Sequence, residues 1–262
     1  MFCALLGGIH ERQVQIFIQR QKGDNPYLPV PCSQHSALIL RRLDGVNGVS
    51  YNNREVPGLK HTGTTTLGIV CKDAVVLATD SRVTMANYIA HRKGKKLFKI
   101  DEHMGMTIAG VVADAQNMID VIRYYARTYR IEHQRPMPIA SAARVAANVF
   151  FAQRYYPYIV QSLMGGYDSS GPGLFNVDLF GTMTGEQFAS TGSGSPIVYG
   201  ILESGYRENM SVDDAIKLAA KGVSYAMKRD SASGDNLDVA IIDANGFREL
   251  SLDVKQALIK TI

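Results

Sequence analysis

From Thr64 onward, apolar positions fall into two alternating modes: short β-branched runs, and longer stretches with helical spacing. Thr64 to Cys71 and Ala74 to Thr79 are rich in Val, Ile, Thr and Leu, and Lys72-Asp73 between them predicts a hairpin. Val83 to Ala90 and Lys96 to Ile100 predict strands about a turn at Lys93-Gly94, and Met106 to Val112 predicts a fifth. These five segments are expected to form one antiparallel sheet. Two helices follow, Asp114 to about His133 and Ile139 to about Tyr155, the second opened by Pro136 and Pro138. Strand patterns return at Tyr158 to Leu163, Leu174 to Phe180 and Gln187 to Ser190. Helices are expected at Pro196 to Leu202 and Val212 to Arg229, the latter begun by Ser211-Val-Asp-Asp214 with capping-box spacing. A last hairpin, Leu237 to Asp243 and Phe247 to Leu250, turns on Asn245-Gly246.

This order is not the strand-helix-strand alternation of a parallel sheet. It predicts an α+β fold in which two antiparallel sheets pack together with helices outside, an αββα sandwich of four layers. Residues 1–63 look different: four of the nine prolines (Pro26, Pro29, Pro31, Pro57) and polar breaks such as Lys22-Gly-Asp-Asn-Pro leave only Val14 to Ile18 and Ala37 to Leu40 as candidate local structure. They read as an appendage to a domain spanning 64–262.

Composition changes little in this picture. Hydrophobic residues make up 46% and charged residues 20% of the 262, ordinary globular usage that excludes a disordered or fibrous chain. A net charge of +4 implies neither a nucleic-acid nor a membrane partner. Residues 1–63 hold seven basic and four acidic residues, so the appendage carries most of that charge and 64–262 is left at +1. Cys3, Cys32 and Cys71 form no CxxC pair and the six histidines fit no ligand pattern, so no metal or other cofactor is expected and a reducing cytoplasm is the simplest setting. No apolar run approaches the ~20 residues that span a bilayer, and the apolar start lacks the basic region of a secretory signal.

The candidate chemistry lies at the join, His61-Thr62-Gly63-Thr64-Thr65-Thr66-Leu67-Gly68. One reading is a strand beginning after a glycine turn. The other is a self-cleaving Gly63-Thr64 bond. A hydroxyl is a poor nucleophile at its own pKa, and a free α-amine on the same residue, with pKa of ~7.7 to 8, supplies the base. That amine exists only once the preceding peptide bond is cut. Glycine before Thr64 leaves its carbonyl open to the hydroxyl and tolerates strained φ/ψ.

Further along stand Ala78-Thr-Asp80-Ser-Arg82-Val-Thr84-Met, Gly94-Lys-Lys96-Leu-Phe, Met106-Thr-Ile-Ala-Gly110, Ala189-Ser-Thr-Gly-Ser193-Gly-Ser195-Pro and Arg229-Asp230-Ser-Ala-Ser233-Gly234. In this order, over nearly all of residues 62–262, the chain resembles the β subunits of the proteasome core particle, most closely the archaeal type. The resemblance implies the N-terminal-nucleophile hydrolase fold, in agreement with the element order, and a threonine endopeptidase that degrades unfolded polypeptides. It implies Thr64 as nucleophile, Lys96 as the ammonium beside it, Asp80 as the partner that keeps the lysine charged, and Ser193, Asp230 and Ser233 as the surrounding polar network. Gly110 is implied as the oxyanion-hole donor. Thr84 and Gly110 are implied as binders of substrate backbone, and Ile108 as the lining of an apolar first pocket that favours cleavage after hydrophobic residues. Taken alone, these residues also fit a solvated charge pair, helix-end capping, a glycine of close packing and a core isoleucine.

The implied partners are an α-subunit ring and other β subunits in stacked seven-membered rings, α7β7β7α7. A separate unfolding ATPase is implied too, since no GxxxxGK loop occurs. Archaeal members typically carry a short propeptide, whereas here 63 residues precede Thr64 and no methionine lies between Met1 and Met85. That stretch is expected to be either a propeptide removed after Gly63 or an over-extended start, with the true one nearer Val46 or Val56. The competing functions are a non-catalytic ring subunit and an amidase of the same fold acting on small molecules.

Overall fold

The computed structural model describes residues 63–85 and 88–261. The expectations for Val14 to Ile18, Ala37 to Leu40, Cys3 and Cys32 lie outside the described residues. Twelve strands occur among those described: β1 Thr66–Val70, β2 Ala74–Asp80, β3 Val83–Met85, β4 Tyr88–His91, β5 Leu97–Asp101, β6 Met104–Gly110, β7 Val160–Asp168, β8 Gly171–Val177, β9 Met183–Gly185, β10 Phe188–Thr191, β11 Leu237–Asp243 and β12 Gly246–Glu249. The helices are α1 Val112–His133, α2 Ile139–Ala152, α3 Ser195–Gly205, α4 Val212–Arg229 and α5 Leu252–Thr261.

The first five strand segments do not form one sheet. β1 and β2 join a five-stranded sheet ordered β10-β1-β2-β11-β12, β5 and β6 join a second ordered β5-β6-β7-β8-β9, and Val83 to Ala90 divides into the two-stranded β3-β4. Burial explains the split. β2 is buried at all seven residues, so it needs cover on both faces, while β3 and β4 are only partly buried and stand apart from either large sheet. All the pairings are antiparallel, as expected.

Three apolar clusters mark the three interfaces of the four layers. Met104, Met106, Ile108 and Met164 of the second sheet pack with Met118, Ile122, Ala143 and Phe150 of α1 and α2. Val75, Leu77, Leu163, Leu174 and Ile242 fill the space between the sheets. Leu67, Ile69, Val76 and Ile241 pack against Val198, Ala219 and Val223 of α3 and α4. Strand alternation sends neighbouring residues of β2 to opposite interfaces: Val75 and Leu77 inward, Val76 and Ala78 to the helices. A Cβ on Gly68 would come within 2.6 Å of Leu174, so glycine there lets the two sheets approach closely.

α4 begins as its sequence predicts. Ser211 Oγ accepts from Asp214 N at 3.2 Å and donates to the Asp214 carboxylate at 2.7 Å. Three elements are additional to the sequence reading: β9, α5, and the extension of β7 through Gly165 and Gly166 to Asp168. Glycines in a strand erase its hydrophobic pattern, and β9 has only three residues.

Candidate active site

The strand register brings the candidate residues to one end of the sandwich. Thr66 at the start of β1 pairs with Thr79 near the end of β2 and with Thr191 at the end of β10, and Asp80 pairs with Leu237 at the start of β11. In the second sheet, Leu97 at the start of β5 pairs with Thr107 near the end of β6. Thr64 and Lys96 therefore lie just before β1 and β5. Asp80 and Gly110 close β2 and β6, Ser193 lies between β10 and α3, and Asp230 and Ser233 lie between α4 and β11.

Asp80 is the hub of this end. One carboxylate oxygen accepts from Lys96 Nζ at 2.7 Å and from Thr65 N at 2.9 Å; the other accepts from Gly234 N at 2.9 Å and Arg82 N at 3.0 Å. The side chain is wholly buried, yet four donors satisfy its oxygens. Lys96 is thereby tied to the residue next to Thr64. Burial pushes the Lys96 pKa below that of an ordinary lysine, and the Asp80 carboxylate pulls it back only in part. Burial and the Asp80 carboxylate thus act on the Lys96 proton in opposite directions.

A second network starts at Thr64 itself. Thr64 N donates to Ser193 Oγ at 3.1 Å, and Ser193 Oγ donates to Asp230 Oδ2 at 2.6 Å. The same oxygen accepts from Ser233 Oγ at 2.6 Å. With the Ser233 hydrogen so used, Thr65 Oγ1 donates to Ser233 across the 2.7 Å that separates them. The network thus runs from Thr64 N through Ser193, Asp230 and Ser233 back to Thr65. Thr64 Oγ1 has no hydrogen-bond partner among the described residues. Asp230 sits at the C-terminal end of α4, where a carboxylate opposes the helix dipole, although it also accepts from Ala232 N at 3.2 Å.

Gly63 is held by its own N–H, which donates to Thr84 Oγ1 at 3.0 Å. Its glycine identity has a steric cause. A Cβ there would fall 1.7 Å from the Ala232 Cβ and 2.9 Å from Ser193 Oγ, whereas Gly63 is not among the glycines with positive φ. Space rather than strained φ/ψ excludes a side chain. Gly110 does have positive φ, +138°, and a Cβ would lie 2.0 Å from the Ile159 carbonyl oxygen. Close packing is therefore part of its role. Ile108 is buried in the core beneath α1 and α2. Among the described residues no group of three or more His, Cys, Asp or Glu is gathered closely enough to hold a metal ion. Burial pushes the Cys71 thiol up to about 11, which keeps it from acting as a nucleophile.

Against this geometry, the family profile described as "Proteasome subunit" matches residues 60–242. The chain belongs to the proteasome subunit family. Proteasome subunit beta 1 of Caldivirga maquilingensis is 49% identical over 197 residues, 74% of this chain and 96% of that relative. Proteasome subunit beta 2 of Nitrosopumilus maritimus is 45% identical over 198 residues, 76% of this chain and 94% of its own. Proteasome subunit beta of Thermoplasma acidophilum is 46% identical over 202 residues, 77% and 95% of the two chains. Membership in the family implies assembly with other proteasome subunits, and β subunits of the proteasome are as a class peptidases of protein degradation. None of the described helices is long and apolar enough to cross a membrane.

Three further contributors to this candidate site are not singled out by the sequence. Thr65 was visible only as one of a threonine run, yet its N–H and hydroxyl join the Asp80 and Asp230 networks. Arg82 lies over Gly234, donates to Ser231 O at 3.0 Å and pairs with Asp235 at 3.0 Å, bracing the loop that carries Ser233. Gly192, with φ +93°, passes so close to Thr64 that a Cβ would stand 2.0 Å from the Thr64 carbonyl oxygen. Only the Ser-Thr-Gly-Ser-Gly-Ser composition of that loop signals a tight approach.

Proposed function

We propose that the chain is a catalytic β subunit of the proteasome core particle, a threonine endopeptidase that degrades unfolded polypeptides to short peptides in the cytoplasm. The observation that carries the reading is the convergence on residues 63–65: Gly63 with no room for a side chain, Thr64 with an unengaged hydroxyl, and Thr65 bound to the Asp80 that holds Lys96. In the first reaction Thr64 Oγ1 attacks the Gly63 carbonyl. The peptide C–N bond breaks as an ester to Thr64 forms, and water hydrolyses the ester, releasing residues 1–63 and a free α-amine on Thr64. In turnover that amine accepts the hydroxyl proton as Oγ1 attacks a substrate carbonyl, and it returns the proton to the leaving amine. Water then cleaves the acyl-enzyme ester.

The Lys96 ammonium lowers the proton affinity of the Thr64 hydroxyl and amine. Ser193, Asp230 and Ser233 orient the amine through the contact Ser193 makes with Thr64 N. The Gly110 N–H would stabilise the oxyanion, a role worth roughly 3 to 4 kcal/mol in such sites. Thr84 and Gly110 hold substrate as an added strand, and Ile108 supplies the apolar floor that favours hydrophobic residues before the cut. The working assembly is α7β7β7α7, fed by a separate unfolding ATPase.

Mass measurement on particles made by co-expression with the α partner tests this. The β chain is expected to begin at Thr64, and Thr64→Ala to keep its upstream segment and hydrolyse no peptide. An intact wild-type chain in a fully assembled particle sinks the catalytic reading and favours the structural ring subunit.

A further inference from the structure

Between the sheets, directly beneath the site, lies a row of threonines that the proposed chemistry does not use. Thr66 of β1 pairs in register with Thr191 of β10 on one side and Thr79 of β2 on the other, and faces Thr107 of β6 across the layer. All four are buried. Thr107 Oγ1 donates to Thr66 Oγ1 at 3.1 Å, and Thr66 and Thr191 hydroxyls are 2.7 Å apart. Each hydroxyl carries one hydrogen, so the arrangement that leaves neither Thr107 nor Thr66 with an unpaired hydrogen runs Thr107 to Thr66 to Thr191. Thr79 Oγ1 has no hydrogen-bond partner among the described residues.

The interface around them is otherwise filled by apolar side chains such as Val75, Leu77, Leu163 and Ile242, which resist separation but do not fix register, because apolar contact is not directional. A buried hydroxyl chain does. Any slip of β1 along β6 would leave a donor unpaired in a dry layer. Its three members stand close in sequence to the reacting groups. Thr66 is two residues from Thr64. Thr191 is joined through Gly192 to Ser193, which binds Thr64 N, and Thr107 precedes Ile108 and Gly110. Thr64 precedes β1 of one sheet and Gly110 ends β6 of the other, and these hydroxyls are a direct polar tie between the two strands.

We propose that Thr107, Thr66 and Thr191 are positioning residues that set the nucleophile of one sheet against the oxyanion donor of the other. The inference rests on the threonine-peptidase reading above. Its loss acts on alignment in the transition state and not on substrate affinity, so it lowers kcat and leaves KM.

The test uses full-length chain co-expressed with the α partner, and a fluorogenic peptide with an apolar residue before the cut. Thr107→Val keeps shape and removes the donor. It is expected to lower kcat about tenfold with KM within about twofold, since small misplacements of reacting groups cost that much or more. Thr107→Ser, which restores the hydroxyl, is expected to return kcat to within about twofold of wild type. Thr79→Val, in the same layer but outside the chain of bonds, is expected to leave kcat unchanged. Full kcat in Thr107→Val, or a Thr107→Ser no better than Thr107→Val, overturns the proposal. Should Thr107→Val yield no particle, Thr191→Val removes the far end of the chain and is read by the same criteria. A wild-type particle that cleaves nothing overturns the peptidase reading itself and this inference with it.

Discussion

Lys96 Nζ lies 2.7 Å from Asp80 Oδ1, and with side-chain exposures of 6% and 0% this is the most buried ion pair among the described residues. A buried pair is seldom a gain over apolar packing, because both ions lose their water. Asp80 offsets that loss with three backbone N–H donors, from Thr65, Arg82 and Gly234. Among the described residues Lys96 Nζ bonds to Asp80 alone, and burial is the largest influence on its proton affinity. The lysine is thus held, through Asp80, to the residue after Thr64, in a state from which it gives up charge more readily than a surface lysine.

Removing Lys96 leaves the Asp80 charge in place without its counter-ion. Lys96→Ala is expected to abolish both cleavage before Thr64 and peptide turnover, and to cost about 3 to 5 kcal/mol of stability. Mass, hydrolysis rate and a urea midpoint check the three parts, and normal hydrolysis by this variant refutes the role assigned to Lys96.

The lowered Lys96 pKa has opposite consequences for activity and stability. If turnover needs the ammonium, activity falls as pH rises through the lowered native value, so the alkaline limb of kcat should lie below the ~10.4 of a free lysine. In the window between that value and the unfolded one, the unfolded chain binds the proton more tightly. This group's contribution to stability therefore increases with pH across the window. A kcat–pH profile with its alkaline limb at or above the free-lysine value contradicts the first statement, and urea midpoints that fall as pH rises through the window contradict the second, after subtraction of the Lys96→Ala profile.

Gly63 and Ala232 compete for one volume. Gly63→Ala places a methyl carbon 1.7 Å from the Ala232 Cβ and must displace the loop that carries Ser233. Processing is expected to slow by at least about tenfold, consistent with the cost of small misplacements at reacting centres. The double variant Gly63→Ala, Ala232→Gly should recover much of it, as neighbours in contact are not additive. Mass spectrometry over time follows both. Equal processing in the single and double variants would remove the steric argument.

Thr79→Val replaces a buried hydroxyl that has no hydrogen-bond partner among the described residues with a methyl group of similar shape. Such a group carries a desolvation penalty of about 1 to 3 kcal/mol, so the variant is expected to be more stable by up to that amount. The same change at Thr66, whose hydroxyl is engaged twice, should destabilise. Denaturant midpoints of the two variants, ordered the other way, would contradict the assignment.

Much of the fold was legible in residue order. Val212–Arg229 and Leu237–Asp243 have the boundaries the pattern predicts, because a capped amphipathic run and an apolar strand before Asn-Gly are local signals. The four layers followed from runs of strands between pairs of helices. The grouping of the first five strand segments did not, since β2 and β6 are both buried almost throughout and their patterns do not say which partner each edge will meet. The same division holds in the site. Thr64, Asp80, Lys96, Ser193, Asp230 and Ser233 were marked by motifs in sequence, and the structure brings them to one end of the sandwich. Arg82, Thr65 and Gly192 contribute through backbone approach and loop bracing, which leave no periodic trace.

By itself the sequence determined the element types, the layered class and the residue kinds available for chemistry at the Gly63-Thr64 join, because side-chain periodicity and local caps act over a few residues. Tertiary structure alone decided three things: that Gly63 is glycine for want of space, that Asp80 is satisfied by four donors, and that Thr107 ties one sheet to the other through Thr66. Each depends on atoms from strands far apart in the chain meeting within a few ångströms. Such meetings are set by which sheet faces which once apolar surface on both sides has been buried, and no local pattern contains that information.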